Sequence, residues 1–340
     1  MQKIKKSKDC VEKNSLNLPY VSDITASNDT NIFKNRVVKA TSNSFTVDID
    51  SGLLACKARK NAINENDAIL TNVNVASMKF SESKNAANVL TGDFVDLEKF
   101  ENEWVISKIY KRSNSLIRPK VANIDQIVIV VAPLPKPDLF LIDKLVVNAG
   151  MQGIDIILCV NKCDLKENIA AVIKEQYSSV AQKTICTSAL GGDISELKKV
   201  LAGKLSCIAG QSAVGKSSLI NSLTKSNLQK TDNLSAKINR GKNTTTQSEI
   251  IKVSSKTFIL DTPGFSMLDI HHIMPDNLES FYQDFEIARD NCKFKPCSHT
   301  NEPNCGVKEF VDKNLIDKNR YDRYVQIYQK LKQNFSTRHK

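Results

Sequence analysis

The octapeptide Gly210-Gln211-Ser212-Ala213-Val214-Gly215-Lys216-Ser217 matches the spacing GxxxxGK[ST]. It follows the apolar run Leu205–Ala209, which reads as a buried strand, and it leads into a stretch that reads as a helix from Lys216 to Leu223. A strand that feeds a glycine-rich loop and then a helix can aim successive backbone N–H groups at a polyphosphate. In that setting Gly210, Gln211, Ser212, Ala213, Val214, Gly215, Lys216, Ser217 and Ser218 form the expected phosphate-binding set. Lys216 supplies a point charge and the Ser217 hydroxyl ligates Mg²⁺.

A second motif selects the base. Asn161-Lys162-Cys163-Asp164 directly follows the buried run Ile154–Val160 and matches NKxD. The Asp164 carboxylate can accept from both the ring N–H and the exocyclic amine of guanine. Adenine offers no such pair and would leave a carboxylate unpaired, so this pattern argues against an ATP-dependent enzyme. Asn161 would brace the loop, and the Lys162 stem would lie over the purine. Thr187-Ser188-Ala189-Leu190 follows the next strand-like run, and Ser188 and Ala189 are expected to bring backbone N–H groups to the guanine carbonyl. In a Ras-like chain both guanine motifs come after the phosphate loop. Here they come before it, so the domain is expected to be circularly permuted, which a fold with surface termini tolerates.

Asp261-Thr262-Pro263-Gly264 matches DxPG. Asp261 is expected to hold Mg²⁺ through a water, and Gly264 to offer its N–H to the γ-phosphate. Between the phosphate loop and this motif lies Gly241-Lys242-Asn243-Thr244-Thr245-Thr246. One of its threonines should close on Mg²⁺ and the γ-phosphate; Thr245 is the first choice and Thr244 the next. Phe265 occupies the place where many GTPases carry a glutamine that orients water. Lys216 and Thr245 are expected to do the charge-stabilising work, and the group that places water must come from elsewhere in the chain or from a partner.

Around this core the chain divides by pattern. Residues 1–31 are polar, lack an apolar signal segment and read as a disordered extension. Residues 32–114 carry short β-like runs at 36–40, 45–49, 53–58, 94–97 and 104–110, separated by turn residues, and suggest a small OB-like barrel. Residues 61–88 read as a polar loop. Residues 115–277 alternate strands and helices, the pattern of a parallel α/β sheet. Residues 278–340 turn helical and polar, with a last helix over about 314–332 packing through Tyr321, Tyr324, Val325, Ile327, Tyr328 and Leu331.

That last region holds Cys292, Cys297, His299 and Cys305. Three thiols and an imidazole within fourteen residues suit a closed tetrahedral Zn²⁺ site of structural type; His271 and His272 are too far off in sequence to be preferred. No signal segment accompanies the nine cysteines, so a reducing cytoplasmic setting is expected. No apolar run is long enough to span a bilayer, and no membrane partner is expected. A net charge of +11 favours polyanionic partners, nucleic acid first.

Assembled in this order, the motifs resemble the ribosome small-subunit-dependent GTPase A family. The Arg118-Pro119-x₃-Asn123-x-Asp125 entry and the threonine-rich switch share in the likeness, which covers most of the chain. The resemblance implies an OB-fold that contacts ribosomal RNA, a GTPase acting in late maturation of the small ribosomal subunit, and hydrolysis stimulated by that particle, in a monomer. One position departs: where the family carries a histidine before the three threonines, this chain has Asn243. A GTP-regulated RNA-binding switch with negligible turnover is the competing reading.

Overall fold

In the computed structural model the chain is described over residues 35–42, 44–66, 88–116, 119–165, 169–189, 193–228, 249–261, 270 and 273–338. The N-terminal extension, most of the polar loop after residue 66, and the switch residues Asn243, Thr244, Thr245, Gly264 and Phe265 lie outside these residues, as does Leu190. Asp261 is described as backbone only.

Five strands come first: β1 (Asn35–Ala40), β2 (Phe45–Ile49), β3 (Gly52–Asn64), β4 (Phe94–Phe100) and β5 (Glu103–Ile109). They pair in the order β1-β2-β3-β5-β4, and β4 returns to β1 to close the ring. All contacts are antiparallel except β3 with β5. This is a small Greek-key barrel of OB type. Alternation explains it: Phe45, Val47 and Ile49 point inward from β2 and meet Val37, Cys56, Val95, Ile106 and Ile109. The third strand runs to Asn64, past the polar boundary that composition suggests at residue 61. Its far end gains a backbone partner in β5, and pairing needs no apolar side chain.

A short ribbon, β6 (Ser115–Leu116) with β7 (Val121–Ala122), leads out of the barrel. The buried Asn123, at φ 56°, fixes this exit: its Oδ1 accepts from Ser113 N (2.9 Å) and its Nδ2 donates to Gly92 O (3.1 Å). The α/β domain follows with β8 (Gln126–Val131), α1 (Leu139–Met151), β9 (Asp155–Val160), α2 (Ile169–Tyr177), β10 (Lys183–Cys186), α3 (Ser195–Leu201), β11 (Leu205–Ala209), α4 (Lys216–Leu228), β12 (Glu249–Ser254) and β13 (Thr257–Asp261). The strand order is β10-β9-β8-β11-β13-β12, parallel except for the β12–β13 hairpin. β8 and β11 are buried on both faces, as continuous apolar strands must be in a doubly covered sheet.

The chain lays β8, β9 and β10 outward in one direction and then crosses back to put β11 beside β8. Their carboxyl ends frame the crevice where the direction reverses, the usual ligand position in such sheets. The barrel docks on the opposite flank, through β1 against β12 and Lys39 against Glu249 (3.3 Å). Lys252 reaches Asp48 (2.7 Å), and the Arg36 guanidinium lies over Phe94 (4.4 Å) and Phe258 (5.3 Å).

The C-terminal module contains a 3₁₀ turn at Pro275–Phe281, then α5 (Glu286–Arg289), α6 (Gly306–Asp312) and α7 (Lys318–Arg338). The last helix starts later than its apolar spacing suggests. Asn314 adopts φ 56°, which ends the preceding helical stretch and lets Ile316 turn into the core. The helix α1 is shared: one side packs on the sheet, while Val147 joins the C-terminal core. Buried between α1 and α7, Asp143 meets Arg320 and Arg323. Burial pushes the Asp143 carboxyl up and the two guanidiniums pull it back. Among the described residues no helix is long and apolar enough to cross a membrane.

Candidate functional site

The phosphate loop forms where β11 ends. Gly210 sits at φ 131°, and a Cβ there would come within 2.3 Å of Val130 O on β8. Gly215, at φ 98°, would place a Cβ 2.3 Å from Asn161 Nδ2. Both glycines are needed because the loop curls against its neighbours with no room for a side chain. Lys216 opens α4, and its ammonium donates to the carbonyls of Gly210 (2.7 Å) and Gln211 (2.6 Å), which holds the charge across the loop.

Asn161 ties three loops together. It is 1% exposed. Its Nδ2 donates to Val214 O (2.9 Å), while its Oδ1 accepts from Thr187 Oγ1 (3.2 Å) and from Ala189 N (3.2 Å). The NKCD loop, the loop after β10 and the phosphate loop therefore share one side chain, although their order in the chain is reversed. Lys162 lies across the same crevice and donates to Leu134 O (2.6 Å) and Ala213 O (3.0 Å). Lys162 and Ala213 both adopt positive φ, 62° and 64°, strain of the kind kept where a loop must hold a shape.

Asp164 is exposed, with its carboxylate beside Ser188, whose hydroxyl donates to Oδ1 (2.6 Å). That bond is the main cause holding the Asp164 carboxyl below the ordinary carboxylate range. An ionised acceptor at the edge of an open crevice suits a pair of ring donors. Sequence singled out Ser188 for its backbone; the side-chain contact to Asp164 is new. Gln211 has a role that its position in the motif does not signal: its Oε1 accepts from Asp138 N (3.1 Å), and Asp138 caps α1 through Leu141 N (3.0 Å). Ser212, Ser217 and Ser218 lie on the loop and the first turn of α4, as their numbering requires.

A separate cavity of about 400 Å³ opens at the other end of the sheet, beside Gly153, Asp155, Gln182 and Phe281. It carries one carboxylate and none of the motifs, so it is not the nucleotide crevice.

In the C-terminal module the side chains of Cys292, Cys297, His299 and Cys305 are all buried, and their ligand atoms lie within 4.8 Å of one another. His299 Nδ1 is 3.5 Å from Cys292 Sγ and 3.4 Å from Cys305 Sγ. Burial pushes the Cys297 thiol up to about 12, and Cys305 in the same direction; a divalent cation between them reverses that preference. Four soft donors with no gap among them fit a closed metal site. The other ring nitrogen of His299 is hydrogen-bonded to Glu279, the arrangement that fixes a ligating imidazole. Glu279 lies twenty residues upstream of His299 in a polar 3₁₀ turn, and no spacing rule points to it. Tyr321 and Tyr324 brace the cluster by donating to the carbonyls of His299 (2.8 Å) and Ser298 (2.9 Å).

Comparison with known proteins extends this geometry. The family model described as RsgA GTPase matches residues 109–271. The small ribosomal subunit biogenesis GTPase RsgA of Ruminiclostridium cellulolyticum is 39% identical over 254 residues, which cover 73% of this chain and 83% of that protein. Its counterpart in Caldanaerobacter subterraneus subsp. tengcongensis is 36% identical, over 90% of this chain and 98% of that one. Among solved structures, YjeQ from Thermotoga maritima superposes with a TM-score of 0.68 at 32% identity, over 88% of this chain and 98% of that one. YloQ, a circularly permuted GTPase, gives 0.67 at 27%, over 88% and 95%.

Proposed function

This chain belongs to the RsgA GTPase family, and from that premise we propose that it hydrolyses GTP to GDP in the biogenesis of the small ribosomal subunit. The observation that carries the reading is Asn161. One buried side chain joins the base-recognition loops to the phosphate loop, so a permuted order still makes a single guanine-nucleotide pocket.

In this reading Asp164 takes the two guanine donors, Ser188 and Ala189 line the base, and Lys162 covers it. Residues 210–218 wrap the phosphates. Ser217 and Thr245 would hold Mg²⁺ with Asp261 in support, and Gly264 would offer its N–H to the γ-phosphate. Mg²⁺ supplies charge neutralisation on the phosphate oxygens. Phe265 offers no hydrogen bond to water, so water placement falls to Asn243 and to groups brought by the particle. Zn²⁺ is the fitting metal for Cys292, Cys297, His299 and Cys305. The functional units are 1–31, a barrel over 32–114, the GTPase over 115–277 and the metal module over 278–340. The protein works as a cytoplasmic monomer, with the basic surface and barrel meeting ribosomal RNA.

The test is GTP turnover with and without purified small subunits. Alone, the protein should run at roughly 10⁻⁴–10⁻³ per second, as GTPases without a supplied catalytic group do, and the particle should speed it. Rapid turnover without the particle, or none with it, would overturn the proposal.

A further inference from the structure

Most cysteines in this chain have a clear place. Cys56, Cys159 and Cys207 are buried within strands as small apolar residues, and three more form the cluster with His299. Cys163 and Cys186 differ. Among the described residues they are the exposed cysteines, and neither contributes to a core. Cys163 occupies the variable position of Asn161-Lys162-Cys163-Asp164, where base recognition makes no demand on the side chain. Cys186 is the last residue of β10, directly before Thr187.

The fold brings the two together. Parallel pairing sets Cys186 level with Val160 at the end of β9. The loop that follows folds back, so that Cys163 Sγ donates to Val160 O (3.1 Å). Cys163 N donates to Thr187 O (3.1 Å), which staples the guanine loop to the residue after Cys186. The strand register and these two bonds bring Cys163 and Cys186 to one corner, at the ends of neighbouring strands.

We infer that Cys163 and Cys186 form an oxidisable dithiol, closed by a low-molecular-weight disulfide, and that closure weakens guanine-nucleotide binding. The Cys163 thiol is engaged by Val160 O (3.1 Å), whereas Cys186 is exposed at the end of β10, so the first attack falls to Cys186. Its sulfur, as thiolate, displaces one thiol from the small disulfide and leaves a mixed disulfide. Cys163 then gives up its proton to solvent and attacks the Cys186 sulfur, and the second small thiol departs. The protein loses two electrons and two protons, and the oxidant becomes two thiols.

The bond requires a sulfur separation of about 2.05 Å, so the NKCD loop must be drawn toward the end of β10. The bonds that straddle this corner are Asn161 with Thr187 (3.2 Å) and Ser188 with Asp164 (2.6 Å). Both hold guanine-binding groups in place. Loss of aim at one charged hydrogen bond corresponds to about a tenfold or greater fall in affinity.

The test uses the full chain with its metal, incubated with oxidised glutathione. Peptide mapping should find Cys163 linked to Cys186. Binding of a fluorescent GDP should weaken about tenfold or more and recover with dithiothreitol. Cys186→Ser and Cys186→Ala should bind GDP like the reduced parent and lose the response. The inference is overturned if the linkage does not form, if it forms with affinity unchanged, or if both Cys186 variants respond as the parent does, which would trace the effect to the Cys292 cluster. The inference rests on the guanine reading, and the two fail separately: a reduced parent that does not bind GDP sinks that reading, whereas mapping alone decides the dithiol.

Discussion

The nucleotide crevice and the cysteine–histidine cluster solve opposite problems. The crevice is built mainly from backbone: glycines with no room for a Cβ, carbonyls that hold Lys216, and one buried amide, Asn161, that joins three loops. Asp164, the carboxylate proposed to read guanine, stays exposed. The cluster is built from side chains, and all four are buried. The first holds Asn161, Lys162 and Lys216 in hydrogen bonds within the protein even without its ligand. The second gathers buried soft donors, and burial keeps the Cys297 and Cys305 thiols from ionising without a cation. The lesson is that a ligand that comes and goes needs a scaffold satisfied on its own, whereas a resident ion can be part of the core.

The sharpest way to break this contrast is to remove the metal. Stripping it with a strong chelator should unfold the C-terminal module, since a structural site of this kind contributes on the order of 10 kcal/mol. Circular dichroism should show loss of α6 and α7 signal while GDP binding persists. If the melting curve ignores the chelator, the cluster is not a folding element.

The next effect belongs to Asp164. Replacing it in Asp164→Asn removes the charged acceptor and should weaken GDP by at least about 100-fold, while xanthine nucleotides gain. Calorimetric titration with both nucleotides checks it; equal loss for the two would argue for general loop damage.

The seam between the two regions comes third. Asp143→Ala would leave Arg320 and Arg323 buried without their shared anion, a change expected to cost about 3–5 kcal/mol. Urea unfolding should show this as a lower midpoint. A shift no larger than that of an exposed pair such as Lys57–Glu103 (2.7 Å) would mean the seam relaxes freely.

The smallest effect sharpens the comparison. Glu279→Gln keeps the shape around His299 but weakens the acceptor behind its ring. Metal affinity should fall about 10–100-fold, read by competition with a chromophoric chelator, and the fold should survive. An unchanged affinity would make Glu279 a bystander.

Sequence alone made legible the motifs of both candidate sites and the succession of small barrel, permuted α/β domain and helical module. The reason is that this chemistry is local: a phosphate loop uses the backbone of consecutive residues, NKCD closes at the end of one strand, and the four soft ligands lie within fourteen residues. Alternation likewise marked the barrel strands, because each buries one face. Charge hid other parts. Arg320 falls on the same face of α7 as Tyr324, Ile327 and Leu331 and is 1% exposed, yet a guanidinium reads as surface until Asp143 is found 177 residues away. Only the tertiary structure decided that Asn161 grips Val214, 53 residues on, that Glu279 stands behind His299, and that Cys163 and Cys186 share one corner of the sheet. Each of these pairings is made by packing between separate elements. Long-range packing leaves no period, spacing or composition in the chain for a reader of sequence to find.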